Sequence, residues 1–167
     1  MPTKQRRYPL KAKESKQIVE EASKELRLDL EAIYSSKANV EVVESDVGSI
    51  YIVGGKPALF KDGERILPTL LFNEFIAKAP KIVVDMGAVP YVCKGADVMA
   101  PGIVRIEGEF TQGELVIVVD VKFGKALALG ESLINAENAR CIRRGPVVKT
   151  LHYVGDKVWD YIKTLTE

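Results

Sequence analysis

"VDMGAVPYVCKGADVMAPGI", Val84 to Ile103, sets three glycines and two prolines among apolar residues. The chain must therefore bend at defined points within this stretch. The preceding "KIVVD" reads as a strand of the buried type, and "GAVPYVCKG" as a short helical segment. Gly95 can take φ > 0 and end that segment with a sharp reversal. Lacking a Cβ, it also lets another molecule come close to the backbone. Pro101 removes an N–H and stiffens the entry into the next strand. Gly102 permits a bend or a close approach there. Val98 and Met99 supply apolar anchorage on alternate faces. Two readings stand side by side: a rigid helix-to-strand connection, or a backbone shaped for a ligand, with N–H groups around Gly95 open to phosphate oxygens.

Downstream, "GIVRIEGEF", "ELVIVVDV", "KALALGESLI" and "GPVVKTLHYV" are strand candidates separated by glycine-containing turns, and "NAENARC" is one or two helical turns. Several short strands with little helix suggest a small closed or half-closed mixed barrel. Period-2 alternation predicts that Val116, Val118, Leu127 and Leu129 point inward.

Upstream the texture differs. "ESKQIVEEASKELRL" puts Ile18, Ala22 and Leu26 on one helical face, with Val19 beside them. "NVEVVESDVGSIYIVGG" and "KPALFKDGERILP" pattern as hairpins around Asp46-Val47-Gly48 and Asp62-Gly63. "TLLFNEFIAKAP" returns to helical spacing at Leu71, Phe72, Phe75 and Ile76 and stops at Pro80. The expected class is α+β, with a small α+β domain over 1–79 and a mixed β pseudobarrel over 80–167.

The chain has 167 residues, 47% hydrophobic and 28% charged, with a net charge of +1. Charge is uneven along it. Residues 1–17 carry six bases and one acid, residues 18–75 six and eleven, and residues 76–167 twelve and eleven. A globally basic nucleic-acid binder is excluded, so a polyanion would need local patches. The candidates are the N-terminal arm and "RCIRRGPVVK", with Arg140, Arg143, Arg144 and Lys149. No apolar run approaches the ~20 residues that cross a bilayer, and no secretory signal opens the chain. Cys93, Cys141 and the single His152 are too few and too scattered for a structural zinc site. Reduced thiols fit a cytoplasmic protein.

Neither a P-loop nor a dinucleotide fingerprint is present, nor H-E-x-x-H, nor G-x-S-x-G. A histidine-based triad would have to use His152, which sits in a strand pattern where a packed histidine is expected. Asp85, at a strand end, is better placed to cap the following helix than to do acid–base work. The expectations are therefore no catalytic residue, no metal and no cofactor.

Beyond these physical readings, the stretch resembles the opening of a PUA domain. The resemblance is carried by D-x-G-A at 85–88, K-G-A-x-V-M-x-P-G-I at 94–103, "ALALG" at 126–130 and the final G-x-x-V at 145–148. With the tail "LHYVGDKVWDY" and the preceding α+β half, the whole chain resembles the archaeal relatives of the translation factor named for multiple copies in T-cell lymphoma. These pair a pre-PUA domain with a PUA domain. The SUI1-type domain of ligatin-type factors and the catalytic domains of pseudouridine synthases and transglycosylases are missing from this sequence. The resemblance implies a non-enzymatic RNA-binding protein of translation that takes tRNA or rRNA, with the small ribosomal subunit as an assembly partner. It implies a loop face of Lys94, Gly95, Ala96 and Asp97, shaped from beneath by Val98, Met99, Pro101 and Gly102; on charge alone, Arg143, Arg144 and Lys149 extend the patch if the last strand pairs beside the loop. Asp97 would accept from a base or ribose hydroxyl rather than face phosphate. Tyr91 has two readings, a core aromatic or a ring that stacks on a base, and the core is the expected one. Two other readings stay open: an adaptor that docks a SUI1-type factor through the acidic N-terminal half, and an accessory factor in RNA modification.

Overall fold

Val19, Ala22 and Leu26 recur at helical spacing, and in the computed structural model they are the buried face of α1 (Ala12–Leu26). Ile18, expected on that face, is half-exposed at its edge. The structure describes residues 5–34 and 39–166; Lys4 of the basic arm lies outside them. The chain divides into two units, one holding the chain up to Phe75 together with the segment from Tyr161, the other running Ile76–Asp160.

The first unit is an antiparallel meander. Strand β1 (Arg6–Pro9) pairs with β2 (Val40–Ser45), which is followed in order by β3 (Gly48–Val53), β4 (Lys56–Asp62) and β5 (Arg65–Pro68). Short helices α2 (Leu30–Tyr34) and α3 (Asn73–Lys78) complete it, with α3 crossing the division between the units. Strand β1 changes the meaning of the basic arm. Arg7 donates to Glu41 on the neighbouring strand at 3.0 Å, and Tyr8 donates to Glu44 at 2.8 Å. Part of the arm is thus a paired edge strand.

The second unit holds β6 (Lys81–Val84), α4 (Val89–Val92), β7 (Val98–Met99), β8 (Ile103–Glu107), β9 (Leu115–Asp120), β10 (Ala126–Ser132), α5 (Ala136–Cys141) and β11 (Pro146–Tyr153). Helix α6 (Lys157–Leu165) then carries the chain back into the first unit from Tyr161. The six strands form one mixed sheet in the order β7-β11-β10-β9-β6-β8, in which β6 and β9 are parallel. Its core gathers Ile82, Val84, Val116, Val118, Leu127, Ala128, Val147 and Val148.

Three of the four inward positions expected from alternation are in that core. Leu129 is fully buried but outside it. The reason is a bulge: Ala126 pairs with Val119 and Ala128 with Val118, so Leu127 is an extra residue. Leu127 and Ala128 both enter the core, and the alternation after them is reversed. Strand β9 is buried at every position, so period 2 could not tell its faces apart.

Candidate nucleic-acid interface

The turn into α4 is built by Asp85. Its backbone N–H donates to Gly102 O at 2.9 Å, and its Oδ1 accepts from Ala88 N–H at 2.8 Å. The capping role expected of Asp85 is therefore corrected: the N-cap of α4 is Ala88, which has no side-chain cap, and Asp85 instead closes the turn that precedes the helix. A Cβ on Gly102 would lie 3.2 Å from the Ala88 Cβ, so the D-x-G-A and P-G elements meet where only small residues fit. Pro90 sits in the first turn of α4, where no N–H is needed.

Gly95 ends α4 at φ +90°. The close neighbour of its missing Cβ belongs to this chain: an added Cβ would sit 2.8 Å from the Tyr153 ring. The N–H groups of Lys94, Gly95 and Ala96 donate to the carbonyls of Tyr91 and Val92 at 3.0–3.1 Å. The expectation that N–H groups around Gly95 await phosphate is therefore corrected. They close the helix end, and the loop presents side chains instead.

Beyond the loop, β7 forms the sheet edge, pairing Val98 with Val148 and Met99 with Pro146 of β11. Past the end of β7, Asp97 continues the ladder by side chain: its Oδ1 accepts from Thr150 N–H at 3.2 Å, while the Thr150 hydroxyl donates to Ala96 O at 2.9 Å. Part of Asp97's acceptor capacity is spent on this staple. Ala100 N–H donates to Gly145 O at 2.9 Å, which brings the Arg143–Arg144 turn beside Met99 and Pro101.

The expected residues are therefore assembled along one edge. Lys94, Ala96, Asp97, Met99, Pro101, Arg143, Arg144 and Lys149 are exposed, Gly95 and Gly102 are half-buried, and Val98 is buried beneath them. Among the described residues no carboxylate pairs with Lys94, Arg143 or Arg144. Lys149 lies opposite Glu131 in the β10–β11 register. Arg140 is diverted: it donates to Glu109 at 2.8 Å and to Gly108 O at 2.7 Å. Tyr91 is 67% exposed on α4, which overturns the expected core role and leaves the stacking alternative. A four-residue helix has too little apolar face to bury it, and Val92 takes the buried position. Thr150 and Tyr153 escaped the sequence reading because their roles depend on contacts more than 50 residues away.

His152 is fully buried and its Nδ1–H donates to Asp156 Oδ2 at 2.8 Å. Asp156 also accepts from Tyr153 N–H at 2.9 Å and from Trp159 N–H at 2.7 Å, capping α6. Burial opposes ionisation of this carboxyl, but the His152 hydrogen bond and charge and the two N–H donors hold it below its ordinary range. His152 is thus a packed structural residue, as expected of its strand position.

The PUA domain family matches residues 80–154, and a domain of unknown function (DUF1947) matches residues 6–73. An uncharacterized protein of Methanocaldococcus jannaschii is 36% identical over 151 residues, covering 88% of this chain and 93% of the relative. The chain belongs to the two-domain PUA family. Translation machinery-associated protein 20 of Eremothecium gossypii is 29% identical over 140 residues, spanning 79% of this PUA protein and 77% of the relative. A crystal structure of a PUA domain from Aeropyrum pernix K1 superposes with a TM-score of 0.82 at 26% identity, covering 99% of this chain and 95% of that one. The DUF1947 match overlies the α1–β5 meander, and the PUA match overlies the six-stranded sheet with its α4 loop and β11 edge.

Proposed function

We propose that this PUA protein is a non-enzymatic RNA-binding protein of the translation apparatus, and that it grips structured RNA along the α4 loop, β7 and β11. The observation that carries the reading is the set of unpaired cations, Lys94, Arg143 and Arg144, flanking exposed Met99 and Pro101 on one sheet edge. Cations without carboxylate partners are free to neutralise phosphates, and the low apolar ridge between them suits the shallow minor groove of an RNA helix. Gly95, Ala96, Asp97, Val98 and Gly102 shape the face, and Lys149 extends it. The substrate class is the acceptor region of tRNA or small-subunit rRNA. A cytoplasmic location accords with this reading; among the described residues no helix is long and apolar enough to cross a membrane. Titration with tRNA and with small-subunit rRNA fragments at two salt concentrations tests it. Saturable binding that weakens with salt is expected; no binding to either RNA overturns it.

One observation favours the adaptor reading as a second role. An open groove of about 850 Å³ in the first unit, between α1 and its sheet, is lined by five glutamates, Glu14, Glu21, Glu25, Glu44 and Glu64, and three bases, Lys24, Lys61 and Arg65, the last paired with Glu25, so its charge is acidic by two. A basic segment of a SUI1-type factor would fit it. Calorimetric titration of such a factor, with and without RNA, would separate the two roles.

A further inference from the structure

The β9–β10 turn, Val121–Lys125, presents an apolar ring to water where a polar turn would fold equally well. Phe123 is 73% exposed, and Lys122 Nζ lies 5.2 Å from its ring centroid. The turn is rigidly built. Asp120 is almost fully buried, and its carboxylate accepts from the N–H groups of Phe123 and, at 3.0 Å, of Lys125. Gly124 N–H donates to Asp120 O at 3.0 Å with φ +65°, and Val121 N–H donates to Val84 O at 2.9 Å. The Phe123, Gly124 and Lys125 N–H groups all close on Asp120, and Val121 is tied to β6, so Phe123 is displayed on a preformed support. The turn also lies on the α4 side of the domain. The hydrogen-bond partner of Val121, Val84, leads directly into the Asp85 turn that precedes α4.

We infer that this turn is a second RNA contact, in which Phe123 stacks on an unpaired base while Lys122 and Lys125 meet the flanking phosphates. The inference rests on the RNA-binding reading above and extends it from the β7–β11 edge to the β9–β10 turn. An exposed ring with one ammonium group 5.2 Å from its centroid and a second exposed lysine two residues on offers a stacking platform with cations for the neighbouring phosphates, and stacking on it is tolerant of base identity. A preformed support reduces the ordering cost of such a contact. The ligand class is therefore an RNA helix continued by a single-stranded segment.

The test uses the full chain, a synthetic RNA hairpin with an unpaired 3′ tail, and the same hairpin blunt-ended. The parent should bind the tailed RNA more tightly. Phe123→Ala should abolish that preference, a loss of roughly 5- to 100-fold by the measured range for base–aromatic stacking, while leaving the blunt RNA unaffected. Phe123→Leu, apolar without a π face, should behave like Phe123→Ala, and Phe123→Trp should retain the preference. Lys122→Ala with Lys125→Ala should lower the salt slope for the tailed RNA by up to about 1.4, at ~0.7 per phosphate on a single strand. Thermal melting checks that each variant is folded. A parent without preference, or a Phe123→Ala variant that keeps it or weakens both RNAs alike, overturns the inference and leaves the β7–β11 reading intact. A parent that binds neither RNA overturns both.

Discussion

A side chain at Gly95 would meet Tyr153 before it met any ligand. Gly95→Val combines a strained positive φ, worth about 1–3 kcal/mol, with a collision against that ring. A stability loss of about 2 kcal/mol or more is expected by urea unfolding, and any loss of RNA affinity would accompany it. Lys94→Ala isolates the ligand question. The lysine is exposed and unpaired, so its removal should change stability by less than about 0.5 kcal/mol yet lower RNA affinity uniformly across sequences. Full affinity in that variant would take Lys94 out of the interface. Gly130 is a stricter case. A Cβ there would fall 2.2 Å from Val148 Cγ1 and 3.0 Å from Lys149 O, in the middle of the β10–β11 pair. Gly130→Ala should cost about 1–3 kcal/mol through overpacking. Denaturation within 0.5 kcal/mol of the parent would show that the strands separate freely. The last residue of "ALALG" is thus required by close strand approach.

At the scale of elements, β7 has only two residues, so its hold on β11 relies on side-chain additions. Asp97→Ala removes the acceptor for Thr150 N–H at the end of this short pair. It should cost about 1 kcal/mol and speed amide exchange at Thr150 first. If exchange there matches the parent, the staple does not hold the edge. The Arg143–Arg144 turn belongs to the same edge by the Ala100–Gly145 hydrogen bond. Replacing both arginines with alanine should flatten the salt dependence of RNA binding by up to about two units, with little change in melting temperature. An unchanged slope would make them ordinary solvated charges. Arg140 lies one turn earlier in the same basic run, yet its ion pair with Glu109 withdraws it from this role. Charge runs in a sequence therefore overstate a patch until their partners are known.

Across the whole molecule, α6 begins in the second unit and continues in the first from Tyr161, and its start depends on Asp156. The Asp156 carboxyl is held below its ordinary range in the folded state. Its contribution is therefore complete above the unfolded carboxyl pKa, about 4, and is lost as pH falls through the lower folded value. Unfolding measured against pH should show an acid-labile component below about pH 4. Asp156→Ala should remove that component and, by losing the cap and the partner of buried His152, cost about 1–3 kcal/mol at neutral pH. An unchanged acid limb would sink the assignment.

Much of this architecture is local enough to be written in the chain. The amphipathic face of α1, the Asp62-Gly63 hairpin, the stop at Pro80 and the reversal at Gly95 each depend on residues within a few positions of one another, and so does the Asp85–Ala88 turn, although it precedes α4 rather than capping it. Short-range sterics and periodicity suffice for them, and the spacing of D-x-G-A and K-G-A-x-V-M-x-P-G-I pointed to the domain family. Other features needed partners brought from far along the chain. The bulge that turns Leu129 away, the ring of Tyr153 under Gly95, the Thr150 staple and the capture of Arg140 by Glu109 are such contacts. So is the exposure of Tyr91, decided by which residue of a four-residue helix the core could accept. Periodicity records which residues are apolar, but the face they meet is set by strand register, and only the assembled sheet determines that.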